Sequence, residues 1–271
     1  MYKMLVCDLD ETLLCDDKTI GTHTVEMIKK AVHSGLKFVP NTGRSFMSVQ
    51  DNLRELGLSG QAGQYVISYN GATIVENKAN RVVQTAPLAF EMMQKLFELG
   101  YLKGLCVHVY TVDELYIWNM NQAETDYLTG RVPSWQEMED PNLDFLENQT
   151  ITKIIFHVPA EADRIAFRKE AQALLTEPLN IAFSSDRYVE FNDLKADKGQ
   201  AALALGAKLG IKPDEIIAVG DNGNDLPMIK ACGLGVCVAN GRQFVKDVAD
   251  YTTENDNNHD AVAEVIEKFV L

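Results

Sequence analysis

Short apolar runs separated by helix-like segments are the feature that most constrains this 271-residue chain. An apolar run of four or five residues that ends abruptly in polar residues is typical of a buried strand in a parallel sheet. The segments between the first runs, 22–34 and 45–56, are predicted helices that stop at Gly35 and Gly57. This alternation predicts a doubly wound α/β unit. The first three runs are Met4–Cys7, Leu36–Pro40 and Tyr65–Ser68.

The middle of the chain has a different pattern. Pairs of short apolar segments are joined by tight turns there, and two helices flank them, which predicts an antiparallel α+β module. We therefore expect an inserted second domain at 86–189 and a core domain built from 1–85 and 190–271. The predicted strand pairs of the insertion are 106–112 with 114–119 and 181–184 with 188–191.

The α/β alternation resumes after the insertion. A helix opens near Lys198 and stops at Gly210, and a buried strand follows at 216–220. A further strand is predicted at 235–239, and a helix at 260–269. The fold class is therefore α/β, with a Rossmann-like doubly wound parallel sheet and an inserted α+β domain.

Charge and composition narrow the function classes. The chain carries 25 basic and 39 acidic residues, a formal net charge of −14. We expect neither nucleic acid nor an anionic membrane as a partner, because both need a positive surface. No run of 18 apolar residues exists, and Met4–Cys7 is too short for a signal peptide. Five cysteines without a CxxC motif indicate a reducing compartment, most simply the cytoplasm.

Polar residues stand where the predicted parallel strands end. Ligands of open α/β sheets bind at the carboxyl ends of the strands, so these residues should converge on one crevice. Lys198 opens a helix near the same edge and can join them. The strand-end residues are Asp8 and Asp10 after the first strand, Thr42 and Gly43 after the second, and Asp221 after 216–220.

Each of these residues also has an ordinary structural explanation. An isolated Asp-x-Asp can begin a turn, Thr42 can cap a helix, and Asp225 before Leu226-Pro227 is a good cap candidate. No Walker motif, GxGxxG fingerprint, GxSxG elbow or EF-hand loop is present. The histidines show no metal-ligand spacing, and we expect core or surface roles for them. They are His23, His33, His108, His157 and His259.

Four motifs together resemble those of haloacid-dehalogenase superfamily phosphatases of the Cof type, over essentially the whole chain. The insertion resembles the α/β cap domain of that subfamily. Two positions depart from the family pattern: Glu11, where the family more often has glycine, and Asn41, where alanine or serine is frequent. The four motifs are DLDETLL at 8–14, NTGR at 41–44, DKGQAAL at 197–203 and GDNGNDLPMI at 220–229.

The resemblance implies a covalent mechanism for phosphate-ester hydrolysis. Asp8 would be the nucleophile and form an aspartyl phosphate. Asp10 would protonate the leaving oxygen and then deprotonate the attacking water, so it must first hold a proton. The phosphoryl oxygens would be bound by Thr42, Gly43, Lys198 and Asn224. Arg44 and Asn70 are further candidates for contacts with the substrate.

A metal ion is expected on charge grounds. The four aspartates at this site and the cations Lys198 and Arg44 sum to about −2 before a dianionic phosphate arrives. Mg²⁺ suits oxygen ligands together with substrate phosphate. By resemblance, its ligands are the Asp8 carboxylate, the Asp10 main-chain carbonyl and the Asp221 carboxylate, with Asp225 orienting this group.

The expected function is a Mg²⁺-dependent phosphatase of small metabolites: sugar phosphates, nucleotides or phosphorylated cofactors. A phosphomutase shares the phospho-aspartate, and a non-catalytic phospho-ligand-binding regulator could use the same fold. Release of inorganic phosphate distinguishes the phosphatase from the phosphomutase and from the regulator. The insertion should close over the site and select the leaving group, without an obligate protein partner. Its candidate residues are Tyr110, Trp118, Tyr127, Arg131 and Trp135.

Overall fold

A computed structural model describes residues Met1–Leu271. The chain forms two compact units, one from Met1–Gln84 with Asp197–Leu271 and the other from Thr85–Ala196. The second unit extends past the predicted end at 189, because the strand Tyr188–Asp193 pairs within its sheet.

Fourteen strands and nine helices make up the two units. The strands are β1 Met4–Cys7, β2 Lys37–Pro40, β3 Tyr65–Ser68, β4 Thr73–Glu76, β5 Arg81–Thr85, β6 Cys106–Thr111, β7 Leu115–Trp118, β8 Gln136–Met138, β9 Ile151–His157, β10 Leu179–Ser184, β11 Tyr188–Asp193, β12 Ile216–Gly220, β13 Leu234–Cys237 and β14 Tyr251–Thr252. The helices are α1 Thr22–His33, α2 Gln50–Glu55, α3 Phe90–Leu102, α4 Gln122–Leu128, α5 Glu161–Leu174, α6 Lys198–Leu209, α7 Leu226–Ala231, α8 Gln243–Lys246 and α9 Ala261–Phe269.

The sheet of the first unit confirms the predicted fold class. Its five strands run parallel in the order β14-β13-β12-β1-β2. Every residue of β1, β12 and β13 is buried, as expected for strands covered on both faces. β2 lies on one side of β1 in the sheet. β12 and then β13, which come later in the chain, lie on the other side. The crevice of such a sheet lies where the strand order reverses, here at the carboxyl ends of β1 and β12.

The third predicted strand forms but does not extend the parallel ladder. β3 pairs antiparallel with β4 in a separate three-stranded sheet, and a single parallel bridge joins Ile67 to Asn41 after β2. The reason is local, because Asn70 and Gly71 adopt left-handed conformations (φ of 56° and 98°) that turn the chain back on itself.

The second unit is a six-stranded sheet in the order β10-β11-β9-β6-β7-β8. Alternate strand residues, such as Val107, Ile154 and Phe191, form a buried core with α3 and α5 on one face. Trp118 packs beside this core against Phe97 and Tyr101, so its ring serves packing. None of the helices is long and apolar enough to cross a lipid bilayer.

Candidate active site

A buried lysine joins two carboxylates at the carboxyl ends of β1 and β12. Lys198 Nζ donates to Asp8 Oδ1 at 2.5 Å and to Asp225 Oδ1 at 2.6 Å. Burial alone would lower the pKa of Lys198, but the charges of Asp225 and Asp8 outweigh it and raise that pKa. Lys198 is therefore a cation held inside the protein by two aspartates.

Lys198 is placed by the start of α6. Asp197 caps this helix and accepts a hydrogen bond from Gln200 N at 2.8 Å. The next residue, Gly199, packs so closely that a Cβ atom there would lie 2.5 Å from the carbonyl oxygen of Pro227. Only glycine allows this approach, which sets the first turn of α6 against the first turn of α7, directly after Asp225.

Asp8, Asp221 and Asp225 form a compact buried carboxylate cluster. Their nearest oxygen atoms all lie within 4.8 Å of one another. Burial and the charge of Asp225 raise the pKa of Asp221 to about 6. Burial is also the largest cause that raises the pKa of Asp8, although Lys198 opposes it. A divalent cation fits this set, because it would replace the missing positive charge and carboxylate oxygens are its preferred ligands.

Asp225 binds the backbone of its neighbours. Its Oδ2 accepts hydrogen bonds from the backbone N–H groups of Asp221 and Asn222, each at 3.0 Å, while Oδ1 accepts from Lys198. Both carboxylate oxygens are thus engaged. Asp221 Oδ1 accepts from the Thr12 hydroxyl at 3.0 Å, which fixes the direction of that carboxylate.

Asp10 is held in a separate group. Arg44 Nε donates to Asp10 Oδ2 at 2.8 Å, Arg44 Nη2 donates to Oδ1, and Lys18 Nζ lies 3.3 Å from Oδ1. Burial would raise the pKa of Asp10, but Arg44 and then Lys18 outweigh it and lower that pKa. The structure therefore holds Asp10 ionised, whereas the expected role requires a proton first. The difference arises from the two-pronged contact with Arg44.

The remaining predicted residues lie at the ends of β2 and β3 and in the loop after β12. The hydroxyl of Thr42 accepts from Arg44 N at 3.1 Å, and Asn70 N donates to Thr42 O at 3.0 Å. Asn224 Nδ2 donates to Asn70 Oδ1 at 3.2 Å. A Cβ atom on Gly43 would lie 3.1 Å from Asn70 Oδ1, so Gly43 adjoins this amide pair.

Sequence reasoning assigned no role to Thr12 and Lys18, and it suggested that the Asn41 amide contacts the phosphate. Thr12 lies within the first motif, but its bond to Asp221 spans the chain and has no local signal. Lys18 follows the motif as an ordinary exposed lysine. Asn41 Nδ2 donates to Lys198 O at 3.1 Å, so this amide supports the lysine backbone. Glu11 has a left-handed φ of 59°, which accounts for the glycine common at this position in the resembled family.

Comparison with known proteins finds related sequences and structures. The sequence model of haloacid dehalogenase-like hydrolases matches residues 5–266. The chain is 31% identical to YxeH of Bacillus subtilis, covering 100% of this chain and 99% of that protein. It is 28% identical to the 5-amino-6-(5-phospho-D-ribitylamino)uracil phosphatase YcsE of the same organism, with 99% and 96% covered.

A solved haloacid dehalogenase-like hydrolase from Bacteroides thetaiotaomicron has a similar structure. It superposes with a TM-score of 0.88 at 28% identity and covers 99% of both chains. These findings confirm the predicted enzyme class, a phosphoric monoester hydrolase. The chain belongs to the haloacid dehalogenase-like hydrolase family.

Proposed function

We propose that this protein is a Mg²⁺-dependent phosphatase that hydrolyses phosphate monoesters of small metabolites through an aspartyl phosphate on Asp8. The observation that carries the proposal is the buried cluster of Asp8, Asp221 and Asp225, in which Lys198 binds Asp8 and Asp225. Carboxylates are gathered there with too little positive charge among the protein's own groups. A divalent cation would balance the net charge of about −2 that the three carboxylates and Lys198 carry together, and it would also bind the phosphoryl oxygens.

Asp8 acts as the nucleophile. Lys198 holds Oδ1 in place and favours the ionised carboxylate, while Oδ2 carries no protein donor and is available for attack on phosphorus. Attack forms the Asp8–phosphorus bond and breaks the bond between phosphorus and the leaving oxygen. Water then attacks phosphorus, releases inorganic phosphate and regenerates Asp8.

The Asp8 carboxylate, the Asp10 main-chain carbonyl and the Asp221 carboxylate would hold Mg²⁺. When bound, Mg²⁺ supplies positive charge that stabilises the phosphoryl oxygens and keeps the carboxylates ionised. Asp225 directs Asp221 through its backbone N–H. Thr12 does the same through the side chain.

The phosphoryl oxygens are bound by four groups: the Thr42 hydroxyl, the Gly43 backbone N–H, the Lys198 ammonium and the Asn224 amide. Thr42 accepts from a backbone N–H and keeps its own proton to donate. Donors fixed by the fold in this way stabilise charge as it develops in the transition state.

Asp10 protonates the leaving oxygen and later takes the proton of the attacking water. For the first step Arg44 must release Asp10, because this contact lowers the pKa of Asp10. Arg44 turns instead toward the incoming phosphate dianion, which is a stronger partner than one carboxylate. Substrate binding thereby both recruits a cation and allows Asp10 to hold a proton.

The second unit, Thr85–Ala196, acts as the cap that selects the leaving group. The name of the relative YcsE specifies a phosphorylated ribityl compound, and a small phosphorylated metabolite is the corresponding substrate class here. The five free cysteines support work in the reducing cytoplasm. A phosphomutase would return the phosphoryl group to its product, and a regulator would not transfer it. Release of inorganic phosphate therefore distinguishes the proposed phosphatase from both alternatives.

We expect the purified protein to release inorganic phosphate from sugar phosphates, nucleotides or phosphorylated cofactors when Mg²⁺ is present. Chelation should abolish the release, and Ca²⁺ should compete with Mg²⁺ and inhibit. Ca²⁺ accepts 6–8 oxygens at about 2.3–2.6 Å and can occupy both oxygens of Asp8. A colorimetric phosphate assay over this panel is the test. Full activity after exhaustive chelation would contradict the metal requirement.

We expect Asp10→Asn to slow the first chemical step by about 10²–10⁴-fold, because it removes proton transfer to the leaving oxygen. Esters with good leaving groups need less protonation, so p-nitrophenyl phosphate should lose less rate than an alkyl phosphate. Single-turnover cleavage of both esters measures this difference. An equal loss on both would remove Asp10 from the acid role.

We expect the apparent affinity for Mg²⁺ to rise between pH 5 and 7. The pKa of Asp221 is about 6, so below that pH a proton must leave before the metal binds. The limiting change is about tenfold per pH unit for one displaced proton. Calorimetric titration with Mg²⁺ across this range provides the measurement. An affinity that does not change with pH would show that Asp221 is not a ligand.

A further inference from the structure

A second cluster of metal-binding side chains lies within the second unit. Cys106 and His108 stand two residues apart on β6 and so project from the same face of the sheet, opposite α3 and α5. Glu124 reaches the same place from α4. All three residues are buried: the exposed fractions of Cys106, His108 and Glu124 are 3%, 1% and 0%.

The donor atoms of these three residues converge. The Cys106 sulfur, a ring nitrogen of His108 and a carboxylate oxygen of Glu124 all lie within 4.8 Å of one another. Sequence spacing did not predict this group, because the ligands come from a strand and a separate helix. His108 is a buried residue, in line with the expected core role, and its spacing in the sequence does not indicate the neighbouring Glu124 donor.

Neighbouring side chains contact both carboxylate oxygens of Glu124. Arg187 Nη2 lies 2.6 Å from Glu124 Oε1 and 3.0 Å from His157 Nε2, so it engages both groups. The Tyr188 hydroxyl donates to Glu124 Oε2 at 2.7 Å. His108 Nε2 lies 3.0 Å from that Oε2, an ion-pair distance, although the angles fall outside those of a hydrogen bond. The ring nitrogen and the carboxylate oxygen thus face each other without a well-formed hydrogen bond.

We propose that Cys106, His108 and Glu124 hold a Zn²⁺ ion that fastens α4 to the sheet of the second unit. Sulfur, imidazole nitrogen and carboxylate oxygen are the three donor types that Zn²⁺ takes in proteins. Zn²⁺ would sit between the lone pairs of His108 Nε2 and Glu124 Oε2, and water would fill the fourth position. Arg187 remains on Oε1 and orients the carboxylate from behind.

Zinc binding displaces one proton. Cys106 is a buried thiol, and zinc binds the thiolate form of cysteine. As the sulfur–zinc bond forms, the S–H bond breaks and the proton passes to solvent, while His108 binds as neutral imidazole.

Cobalt(II) titration of the full chain tests the site. The metal-stripped protein is first kept in millimolar Mg²⁺, because Mg²⁺ prefers oxygen ligands and so binds the carboxylate cluster at Asp8. Co²⁺ is then added. We expect thiolate-to-cobalt charge-transfer absorption that saturates at one ion per chain and is abolished by Zn²⁺. Cys106→Ser should remove the band, whereas Cys15→Ser, which changes a partly exposed cysteine of the first unit, should retain it.

The proposal is overturned if the wild-type protein shows no such band or if the band survives in Cys106→Ser. The wild-type spectrum is decisive even if a variant fails to fold. A His108→Gln variant that folds should shift the Co²⁺ titration to much higher metal concentration, and an unchanged titration would also overturn the site. This outcome is independent of phosphatase activity, which does not involve Cys106.

Discussion

Asp8→Asn should reduce turnover by about 10⁴-fold or more while the fold stays intact. An amide has nearly the volume of the carboxylate and can still accept from Lys198, but it cannot attack phosphorus as an anion. Losses of this size are typical when a nucleophile is removed. The measurement is phosphate release at saturating Mg²⁺, with the unfolding transition recorded in parallel.

The matched control is Asp51→Asn, which makes the same chemical change at an exposed carboxylate of α2. It should retain full activity. Mass spectrometry must show that the Asp8→Asn protein is free of deamidated material, which would restore the nucleophile. Activity of Asp8→Asn within a few-fold of wild type would remove Asp8 from the chemistry.

Lys198→Met should be the most destabilising single change at the site. It leaves Asp8 and Asp225 buried without their shared cation, and breaking such a group costs about 3–5 kcal/mol of unfolding free energy. Activity should fall by about 10²–10³-fold, because a phosphoryl-binding cation is lost. Chemical denaturation at pH 7.5 and steady-state kinetics measure the two effects.

A second substitution sharpens this test. Adding Asp225→Asn to Lys198→Met removes one of the two orphaned charges, so the double variant should recover part of the lost stability without recovering activity. Lys208→Met, at an exposed position of the same helix, is the control and should change little. If the two substitutions destabilise additively, Lys198 does not neutralise Asp225.

Much of the site could be predicted because its residues follow the ends of parallel strands. Asp8 and Asp221 follow short buried runs, and parallel strands bring such positions to one edge. The ionised state of Asp10 was not predictable, since it depends on where the Arg44 side chain points. The antiparallel pairing of β3 was missed for a related reason: an apolar run predicts a strand but not its partner.

The contacts that escaped prediction join residues far apart in sequence. Thr12 reaches Asp221, and Asn41 reaches Lys198, although neither pair has a shared periodicity. In the second unit, Glu124 contacts His108 because α4 packs on the sheet, and the sequence did not predict the register of that sheet. Local patterns predict elements and strand ends, whereas side-chain pairs across elements require the packed fold.

Trapping the phosphorylated enzyme tests the covalent mechanism most directly. The protein is mixed with Mg²⁺ and an active phosphate ester, quenched within one turnover and reduced with borohydride, and the peptide that contains residue 8 is sequenced by mass spectrometry. Phosphorylation of Asp8 should appear as its conversion to homoserine, and the Asp8→Asn variant should show none. Repeated failure to find homoserine at position 8, under conditions where phosphate is released, would contradict the aspartyl-phosphate mechanism.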